Sequence, residues 1–363
     1  MITQFRLENF KGHRDTTLAL RQFTVLVGDN SSGKTSVLEA LRLMSKLLHA
    51  NGMEDQVIED LIHRGEDHLR LSCDGARRAT RWAATFSLNT PPMFGHSEDD
   101  HRDPWEVEAS GVDDFGRFDA VGALGFPGPH VNNLERIARL VGTAALYRFR
   151  AEEVAKPAYS EQPDASIAED GALTAVTLAA LKLADDARFN AIEGAMRTLV
   201  PALQRIFIKP AKVVHPSNPN PVTGSKLYFD FQGAKNVPAH HASQGTLVVL
   251  ALLSVLHDPH RPRVVLLDDF DHALHPRAQV ELVRMIKQLL ALEEFQDTQI
   301  IATTHSPYVL DEVTPADVIA FALRDDGTVA AKPLSEHPDA PKVNGALKAG
   351  ELWTLDAERD WVR

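Results

Sequence analysis

The sequence predicts an α/β fold in which one discontinuous core is interrupted by an antiparallel β lobe and a helical arm. Residues 1–50 read as strands followed by a helix, and residues 246–303 return to alternating helices and strands. The chain between them has short candidate strands and then a long helical period. The simplest architecture is therefore a core whose two halves lie at opposite ends of the chain.

Composition limits the classes of protein to which the chain can belong. Its 363 residues are enough for one large or two ordinary domains with a buried core. The net charge of -12 excludes a protein that coats nucleic acid with its whole surface, so a nucleic-acid contact must be local or supplied by a partner. The single cysteine, Cys73, excludes an intrachain disulfide and a thiolate metal cluster. With no membrane-length apolar run and no signal-like start, we expect a cytoplasmic protein without membrane contact.

The first half of the core is predicted from residues 1–50. Phe5 and Leu7 alternate with polar neighbours, and Phe23–Val27 is a short β-rich run that ends at Gly28. A helix follows, indicated by apolar residues at helical spacing: Val37, Leu41, Met44 and Leu48. This order of strand, loop and helix is the front of an α/β unit.

The middle of the chain predicts the lobe and the arm. Trp82–Leu88 is a candidate strand, and Glu98–Asp119, with nine carboxylates and two arginines, is expected to be a solvated loop. Helical spacing from Asp170 to about Leu203 predicts the arm, with a bend or stop at Pro201. A Pro-rich loop is then expected at His215–Pro221, before a strand at Leu227–Phe231.

The second half of the core follows the strand at residues 227–231. An all-round apolar helix is predicted at Thr246–His257 and a buried strand at Val264–Leu267. A helix at Arg277–Leu292 and a strand at Ile300–Thr303 complete the pattern. We therefore expect four regions: core residues 1–70, the β-rich lobe 71–150, the helical arm 151–210 and core residues 211–363.

The strongest chemical signal is the segment Gly28–Thr35, which has the pattern of a phosphate-binding loop between an apolar strand and a helix. Glycines at both ends let backbone amides wrap a polyphosphate, and the helix directs its positive end at the same anion. Lys34 would contact the β and γ phosphates, and Thr35 would bind Mg²⁺. The alternative is a glycine-rich turn with a helix cap. The residues expected to contact the nucleotide are Gly28, Asn30, Ser31, Ser32, Gly33, Lys34, Thr35 and Ser36.

A nucleotide site of this class needs an acidic element at the end of a buried strand. Val264–Asp269 supplies it, with Asp268 as the predicted metal-side carboxylate and Asp269 as the predicted base that polarises the attacking water. Asp268 follows Lys34 by 234 residues, so a large segment must be inserted into the core.

This combination resembles ABC-type P-loop ATPase heads of the SMC, RecF and OLD (overcoming lysogenization defect) groups, in which two heads close on two ATP molecules. Phe5–Gly12 looks like the opening strand and turn of such heads. Ala242–Thr246 stands where these families keep a signature, so the resemblance implies that Ser243 and Gly245 contact the γ-phosphate held by the other protomer. Ile300–Leu310 resembles their switch segment, and His305 is implied as the catalytic residue that senses the γ-phosphate.

The segment Leu267–Pro276 resembles the family's Leu-Asp-Glu-Pro-Glu-x-x-Leu-His-Pro, with departures. Aspartate at position 269 replaces the usual glutamate, so its carboxylate could fall about 1 Å short, which can cost about a hundredfold in rate. Slow hydrolysis is therefore expected. His272 and His275 could suggest a metal site, but the turn of this segment explains them without one.

By resemblance, such heads act as sensor or regulator subunits in bacterial anti-phage defence. Only 58 residues follow His305, too few for the TOPRIM nuclease domain of full OLD proteins, so we expect a separate effector such as a nuclease. ATP with Mg²⁺ would hold the subunits of a homodimer or larger multimer together. Two alternatives remain open: a RecF-like or SMC-like repair ATPase that binds DNA, and an ATP clamp that never hydrolyses its nucleotide.

Overall fold

The computed structural model confirms the α/β prediction. It describes residues 1–49, 60–77, 80–89, 105–113, 116–123, 131–162, 165–215, 218–342 and 347–362. The chain divides into two compact units. Unit 1 comprises Met1–Leu146, Pro262–Asp268 and Leu290–Arg363, and unit 2 comprises Tyr147–Arg261 and Asp269–Leu289.

The described elements alternate as the sequence predicts at both ends of the chain. The strands are β1 (Ile2–Phe10), β2 (His13–Ala19), β3 (Phe23–Gly28), β4 (His68–Arg77), β5 (Thr80–Asn89), β6 (Trp105–Asp113), β7 (Gly116–Ala123), β8 (Ala144–Tyr147), β9 (Leu203–His215), β10 (Asn218–Phe231), β11 (Ala234–Pro238), β12 (Val264–Leu267), β13 (Gln299–Thr303), β14 (Val318–Leu323) and β15 (Val329–Pro333). The helices are α1 (Lys34–His49), α2 (Val131–Val141), α3 (Ala151–Val154), α4 (Thr174–Ala184), α5 (Asp186–Leu199), α6 (Gln244–His257), α7 (Pro276–Leu290), α8 (Pro307–Leu310), α9 (Ala349–Leu355) and α10 (Glu358–Trp361). Among them, no helix combines the length and the apolar character needed to cross a lipid bilayer.

The first sheet of unit 1 is antiparallel, with the order β2-β1-β4-β5-β6-β7. It includes part of the acidic stretch, so the expectation of a solvated loop at Glu98–Asp119 is wrong for the described residues 105–113 and 116–119. In β6, Trp105, Val107 and Ala109 are buried while Glu106 and Glu108 are exposed. This two-residue alternation lets an acidic segment form a half-buried strand.

The second sheet of unit 1 has the order β15-β14-β3-β13-β12-β8. Strands β3, β12, β13 and β14 are parallel, and all residues of β3 and β12 are buried. Burial on both faces explains the continuous apolar runs of these strands. The carboxyl ends of parallel strands meet at one edge of a sheet, so this topology brings the segments after β3, β12 and β13 together.

Helix α1 packs against both sheets of unit 1. Phe5 and Phe86 of the first sheet, Leu41 and Met44 of α1, and Leu266 of the second sheet are fully buried in one apolar cluster. Because α1 begins at Lys34, this core also fixes the direction of the segment that precedes the helix.

Unit 2 contains an antiparallel sheet with the order β11-β10-β9, against which α4 and α5 pack. Helix α6 is buried on all sides from Thr246 to His257, which agrees with its all-round apolar sequence. The predicted helical arm is two helices, because Asp185 ends α4 and caps α5 by accepting a hydrogen bond from the Arg188 N–H at 3.1 Å.

The expectation of a Pro-rich loop at His215–Pro221 is wrong for His215 and for residues 218–221, and positions 216 and 217 lie outside the described residues. Strands β9 and β10 extend into this segment and pair as far as His215 and Asn218. Strand β11 pairs with β10 only between Tyr228 and Phe231. The side of β10 that β11 leaves unpaired near Pro219 and Pro221 therefore needs no backbone N–H donor. Proline lacks this donor, and it is tolerated on such an edge.

Candidate functional site

The segment Gly28–Thr35, here called the phosphate loop, is tightly wound between β3 and α1. Gly28 and Gly33 have φ angles of 141° and 98°, which favour glycine. A Cβ atom at Gly28 would lie 2.3 Å from the carbonyl oxygen of Phe321. The Nζ of Lys34 donates to the carbonyl oxygens of Gly28 and Asp29 at 2.8 Å each. The predicted loop conformation is thus present, and the lysine folds back over it.

The loop has the polar groups that a phosphate needs. Ser32 is buried, and its Oγ has no hydrogen-bond partner among the residues that the structure describes. A cavity of about 410 Å³ adjoins it, lined by Gly12, Ser31–Ser36, Leu323, Gly327 and Val329. A buried hydroxyl is costly without a partner, and an anion at a helix N-terminus would supply one. The residues present therefore fit a nucleotide phosphate, and Gly12 brings the β1–β2 turn to the same cavity.

Asp268 lies at the end of β12 and accepts hydrogen bonds from two threonines. The Oγ1 of Thr35 donates to its Oδ1 at 3.1 Å, and the Oγ1 of Thr303 donates to the same oxygen at 2.8 Å. Asp268 directly follows β12 and Thr303 ends the neighbouring strand β13, whereas Thr35 is the second residue of α1. Hydroxyl and carboxylate oxygens are the ligands that Mg²⁺ prefers, so Thr35 and Asp268 fit the predicted metal role.

His305 is exposed two residues beyond β13 in unit 1. The preceding residue, Thr304, donates its backbone N–H to the carbonyl oxygen of Leu26 at 3.2 Å, two residues before Gly28. Its Oγ1 also accepts a hydrogen bond from the N–H of Ser306 at 2.9 Å. The backbone that carries His305 is therefore tied to the strand that enters the phosphate loop.

Sequence reasoning missed His13, the first residue of β2. The ring is buried, with Nε2 3.1 Å from the Gly33 carbonyl oxygen and Nδ1 3.0 Å from the Thr16 Oγ1. Burial lowers the pKa of His13 to about 4, so the ring is neutral near pH 7. Because a carbonyl can only accept, Nε2–H donates to Gly33 and Nδ1 accepts from Thr16. The one available signal was its position directly after the Phe5–Gly12 segment.

Thr303 was also missed as a site residue, because its hydroxyl meets Asp268 only through the pairing of β12 with β13. Nothing in the local sequence distinguishes it from Thr304.

In unit 2, Ser243 and Gly245 lie at the beginning of α6. The Oγ of exposed Ser243 accepts from the Thr246 N–H at 3.2 Å, which is an N-cap. A Cβ atom at Gly245 would lie 2.7 Å from the Ala273 carbonyl oxygen, so a larger residue would push against that turn. The structure thus accounts for both residues locally, and their predicted contact with a second protomer stays a prediction.

Asp269, also in unit 2, has a left-handed backbone with a φ angle of 48°. Its carbonyl oxygen accepts a hydrogen bond from the Nδ1–H of His272 at 2.9 Å. The Nδ1 of His275 accepts from the Arg277 N–H at 3.3 Å. In the part of the chain that the structure describes, no group of three or more His, Cys, Asp or Glu side chains could hold a metal ion.

Two family models match the chain. One, described as "AAA domain, putative AbiEii toxin, Type IV TA system", matches residues 99–311, and another, described as an AAA ATPase domain, matches residues 1–72. The Septu protein PtuA of Bacillus thuringiensis is 34% identical over 71 residues, which make up 20% of this chain and 17% of that protein. The chain therefore matches less than a fifth of the length of this curated relative.

Solved structures of SMC heads have a similar fold. The SMC head bound to the C-terminal winged-helix domain of ScpA has a TM-score of 0.57 at 16% identity, with 92% of this chain and 98% of that chain covered. An SMC head with an extended coiled coil, bound to the C-terminal domain of ScpA from Pyrococcus furiosus, has a TM-score of 0.53 at 15% identity, covering 95% and 98%. These likenesses concern the fold alone, and they confirm the predicted α/β fold class, which this chain shares with SMC heads.

Proposed function

Because the chain belongs to the AAA domain family whose model matches residues 99–311, we propose that it is an ATPase head that binds ATP with Mg²⁺ and pairs with a second copy around the nucleotide. The observation that carries the proposal is the contact of Asp268 with Thr35, the last residue of the phosphate loop. An acidic residue at the end of one parallel strand, next to the hydroxyl that follows the loop lysine, is the arrangement that P-loop enzymes use.

Each residue has a role that follows from its chemistry. The Lys34 ammonium would exchange the carbonyl oxygens of Gly28 and Asp29 for phosphate oxygens, which attract it more strongly because they are charged. The buried Ser32 hydroxyl would donate to the same anion. When bound between Thr35 and Asp268, Mg²⁺ supplies positive charge that neutralises the β and γ phosphates.

The remaining predicted residues would act on the γ-phosphate. We propose Asp269 as the base that orients the attacking water and His305 as the group that senses the γ-phosphate. Ser243 and Gly245 of a second copy would present the α6 N-terminus to the same phosphate. Since the γ-phosphate distinguishes ATP from ADP, it would be the contact that separates paired from free heads.

The output of this cycle would be control of a separate effector in anti-phage defence. The support is the partial similarity to Septu protein PtuA, together with the predicted sensor role of related heads. An effector such as a nuclease would then respond to head pairing. The narrower placement within the OLD group stays a prediction.

The variant Lys34→Ala tests the proposal. We expect it to lower the affinity for a fluorescent ATP analogue at least about tenfold, since a charge-assisted phosphate contact is worth about 1.5–3 kcal/mol. We also expect loss of the ATP-dependent dimer in light scattering. Lys46→Ala is the matched control, because Lys46 is an exposed lysine of the same helix. Unchanged affinity and assembly in Lys34→Ala would contradict the proposal.

A non-hydrolysing ATP clamp is the second candidate function. One observation favours it: position 269 combines a short carboxylate with a left-handed backbone. Such a residue could bind the water poorly while leaving nucleotide binding intact, and substitutions at Asp269 separate the two candidates.

A further inference from the structure

The outward face of the β9–β10 hairpin in unit 2 carries cations between aromatic rings. We call Arg205, Phe207, Lys209, Lys226 and Tyr228 the cationic sheet face. Phe207 lies directly opposite Tyr228 in the register, and Lys209 lies directly opposite Lys226. Directly opposed residues of an antiparallel pair share one face, so all five side chains lie on the same side. The other face is apolar, with Ile206, Leu227 and Phe229 buried.

The charges on this face are arranged unfavourably for stability. Like charges directly opposite each other across two strands destabilise a sheet. Here both ammonium groups lie over one ring, with the Lys209 Nζ 4.7 Å and the Lys226 Nζ 5.6 Å from the Tyr228 centroid. Arg205 lies over Phe207 at 4.8 Å. A sheet that only needed to fold would gain from an acidic or neutral residue at one lysine position.

Nearby carboxylates do not neutralise the two lysines. Lys209 donates to the neutral side-chain amide of Asn236, and Asp230, opposite Arg205, accepts from the Asn236 backbone N–H at 2.7 Å. Among the residues that the structure describes, neither Lys209 nor Lys226 forms an ion pair. The face therefore holds local positive charge on a chain whose net charge is -12.

A cavity of about 360 Å³ opens beside Lys226, and Glu152, Lys156, His240 and Gln244 are among its other lining residues. The cavity has mixed charge, because Glu152 lines it and Lys156 forms an ion pair with Glu153 at 2.7 Å. Desolvation, and then the charges of His241 and Lys226, lower the pKa of His240. Gln244 is the first residue of α6, so the cavity extends from the cationic sheet face to the beginning of that helix.

We propose that the cationic sheet face binds single-stranded nucleic acid. The Lys209 and Lys226 ammonium groups would leave the Tyr228 ring for the phosphates. The Tyr228 ring, and the plane of the Arg205 guanidinium that lies over Phe207, would then stack on bases. Cations alone would suit any polyanion, but rings in the middle of the face favour unpaired bases, which a duplex keeps inside its own stack. An acidic partner protein would use the cations without needing the rings.

The test uses the full chain without ATP and a fluorescein-labelled oligothymidylate of roughly 20 nucleotides, long enough to span one such face. Fluorescence anisotropy between about 50 and 200 mM NaCl gives affinity and its salt dependence. The key variant is Lys209→Gln with Lys226→Gln, which removes the like-charge pair without adding a new charge. We expect at least about tenfold weaker binding and a salt slope smaller by about 1.4, since each phosphate contact to a single strand contributes about 0.7.

Stability separates loss of binding from loss of folding. Removal of the opposed charges should leave the melting temperature of the double variant equal to or above that of the wild type. Tyr228→Ser should weaken binding roughly 5- to 100-fold, as expected for loss of one stacked base, whereas Tyr228→Phe should bind like the wild type. Lys182→Glu is the matched control, because its ammonium also lies over a ring, that of Phe189, while Lys182 belongs to helix α4 and not to the hairpin.

Three results would overturn the proposal: no oligothymidylate binding by the wild type, equal binding of the matching duplex with no effect of Tyr228→Ser, or an equal loss in Lys182→Glu. ATP affinity, measured for each variant, should not change. This proposal can therefore fail while the proposed ATPase function stands, and the reverse also holds.

Discussion

At the scale of single residues, His13 links the β1–β2 turn to the phosphate loop through its hydrogen bond to Gly33. A Cβ atom at Gly33 would lie 2.8 Å from the His13 Nε2 and 2.8 Å from the Val329 Cγ2, so the ring and the glycine are packed as a unit. The hydrogen bond requires a neutral ring whose Nε2 carries the proton. Protonation at Nδ1 would remove the acceptor for Thr16.

This burial predicts a pH dependence of stability. The pKa of His13 is about 4 in the folded chain, against about 6.5 when unfolded. Between these values the unfolded chain binds a proton that the folded chain does not, so the free energy of unfolding falls as pH falls, by at most about 1.4 kcal/mol per pH unit. Urea unfolding of His13→Gln should show a weaker fall, because glutamine can donate to Gly33 and accept from Thr16 without titrating. His260→Gln, at an exposed histidine, is the control. Equal slopes in wild type and His13→Gln would contradict this account.

The left-handed backbone at Asp269 gives a physical reason for aspartate where related heads have glutamate. Asp and Asn tolerate this conformation better than longer residues do. We therefore expect Asp269→Glu to lower the melting temperature slightly.

The rate of ATP hydrolysis should rise in the same variant, although its melting temperature falls. We expect Asp269→Glu to release phosphate up to about a hundredfold faster, if reach limits the wild type. Asp269→Asn should bind ATP but release no phosphate, and it serves as the inactive reference. Should wild type release no more than Asp269→Asn, the chain is a clamp rather than an ATPase.

At the scale of elements, the start of α6 combines a cap with a predicted phosphate contact, and Ser243 substitutions separate the two. Ser243→Asp keeps a side-chain acceptor for the Thr246 N–H but adds a negative charge, so it should melt like the wild type and lose ATP-dependent pairing. Ser243→Ala should cost about 1 kcal/mol of stability through the lost cap. Calorimetry and light scattering measure the two effects. Normal ATP-dependent pairing of the Ser243→Asp variant would contradict the predicted contact of this helix with the phosphate.

At the scale of the whole molecule, the core of unit 1 includes α1. Buried residues of this helix therefore support both the geometry of the nucleotide site and the stability of the unit. Leu41→Ala, at a fully buried position, should cost about 3 kcal/mol and lower the melting temperature by roughly 6–12 °C. Leu292→Ala is the control in the same unit, since Leu292 is 50% exposed. A melting temperature of Leu41→Ala close to that of Leu292→Ala would contradict the described core. The four regions expected from the sequence stay a prediction.

Features that depend on neighbours along the chain could be predicted from the amino-acid sequence. The order of β3, phosphate loop and α1 was predictable, because the glycines, the lysine and the helical spacing are adjacent. Asp268 was predictable as well, since it directly follows a continuous apolar strand. The same local logic identified the all-round burial of α6.

Contacts between residues of distant strands became known from the three-dimensional structure. His13 reaches Gly33, and Thr303 reaches Asp268, through pairings between distant strands. The opposed pair Lys209 and Lys226 depends on the register of a hairpin in which the sequence predicted a loop. Register and burial are set by long-range packing, which a local pattern does not contain, and for that reason these contacts could not be predicted from the sequence.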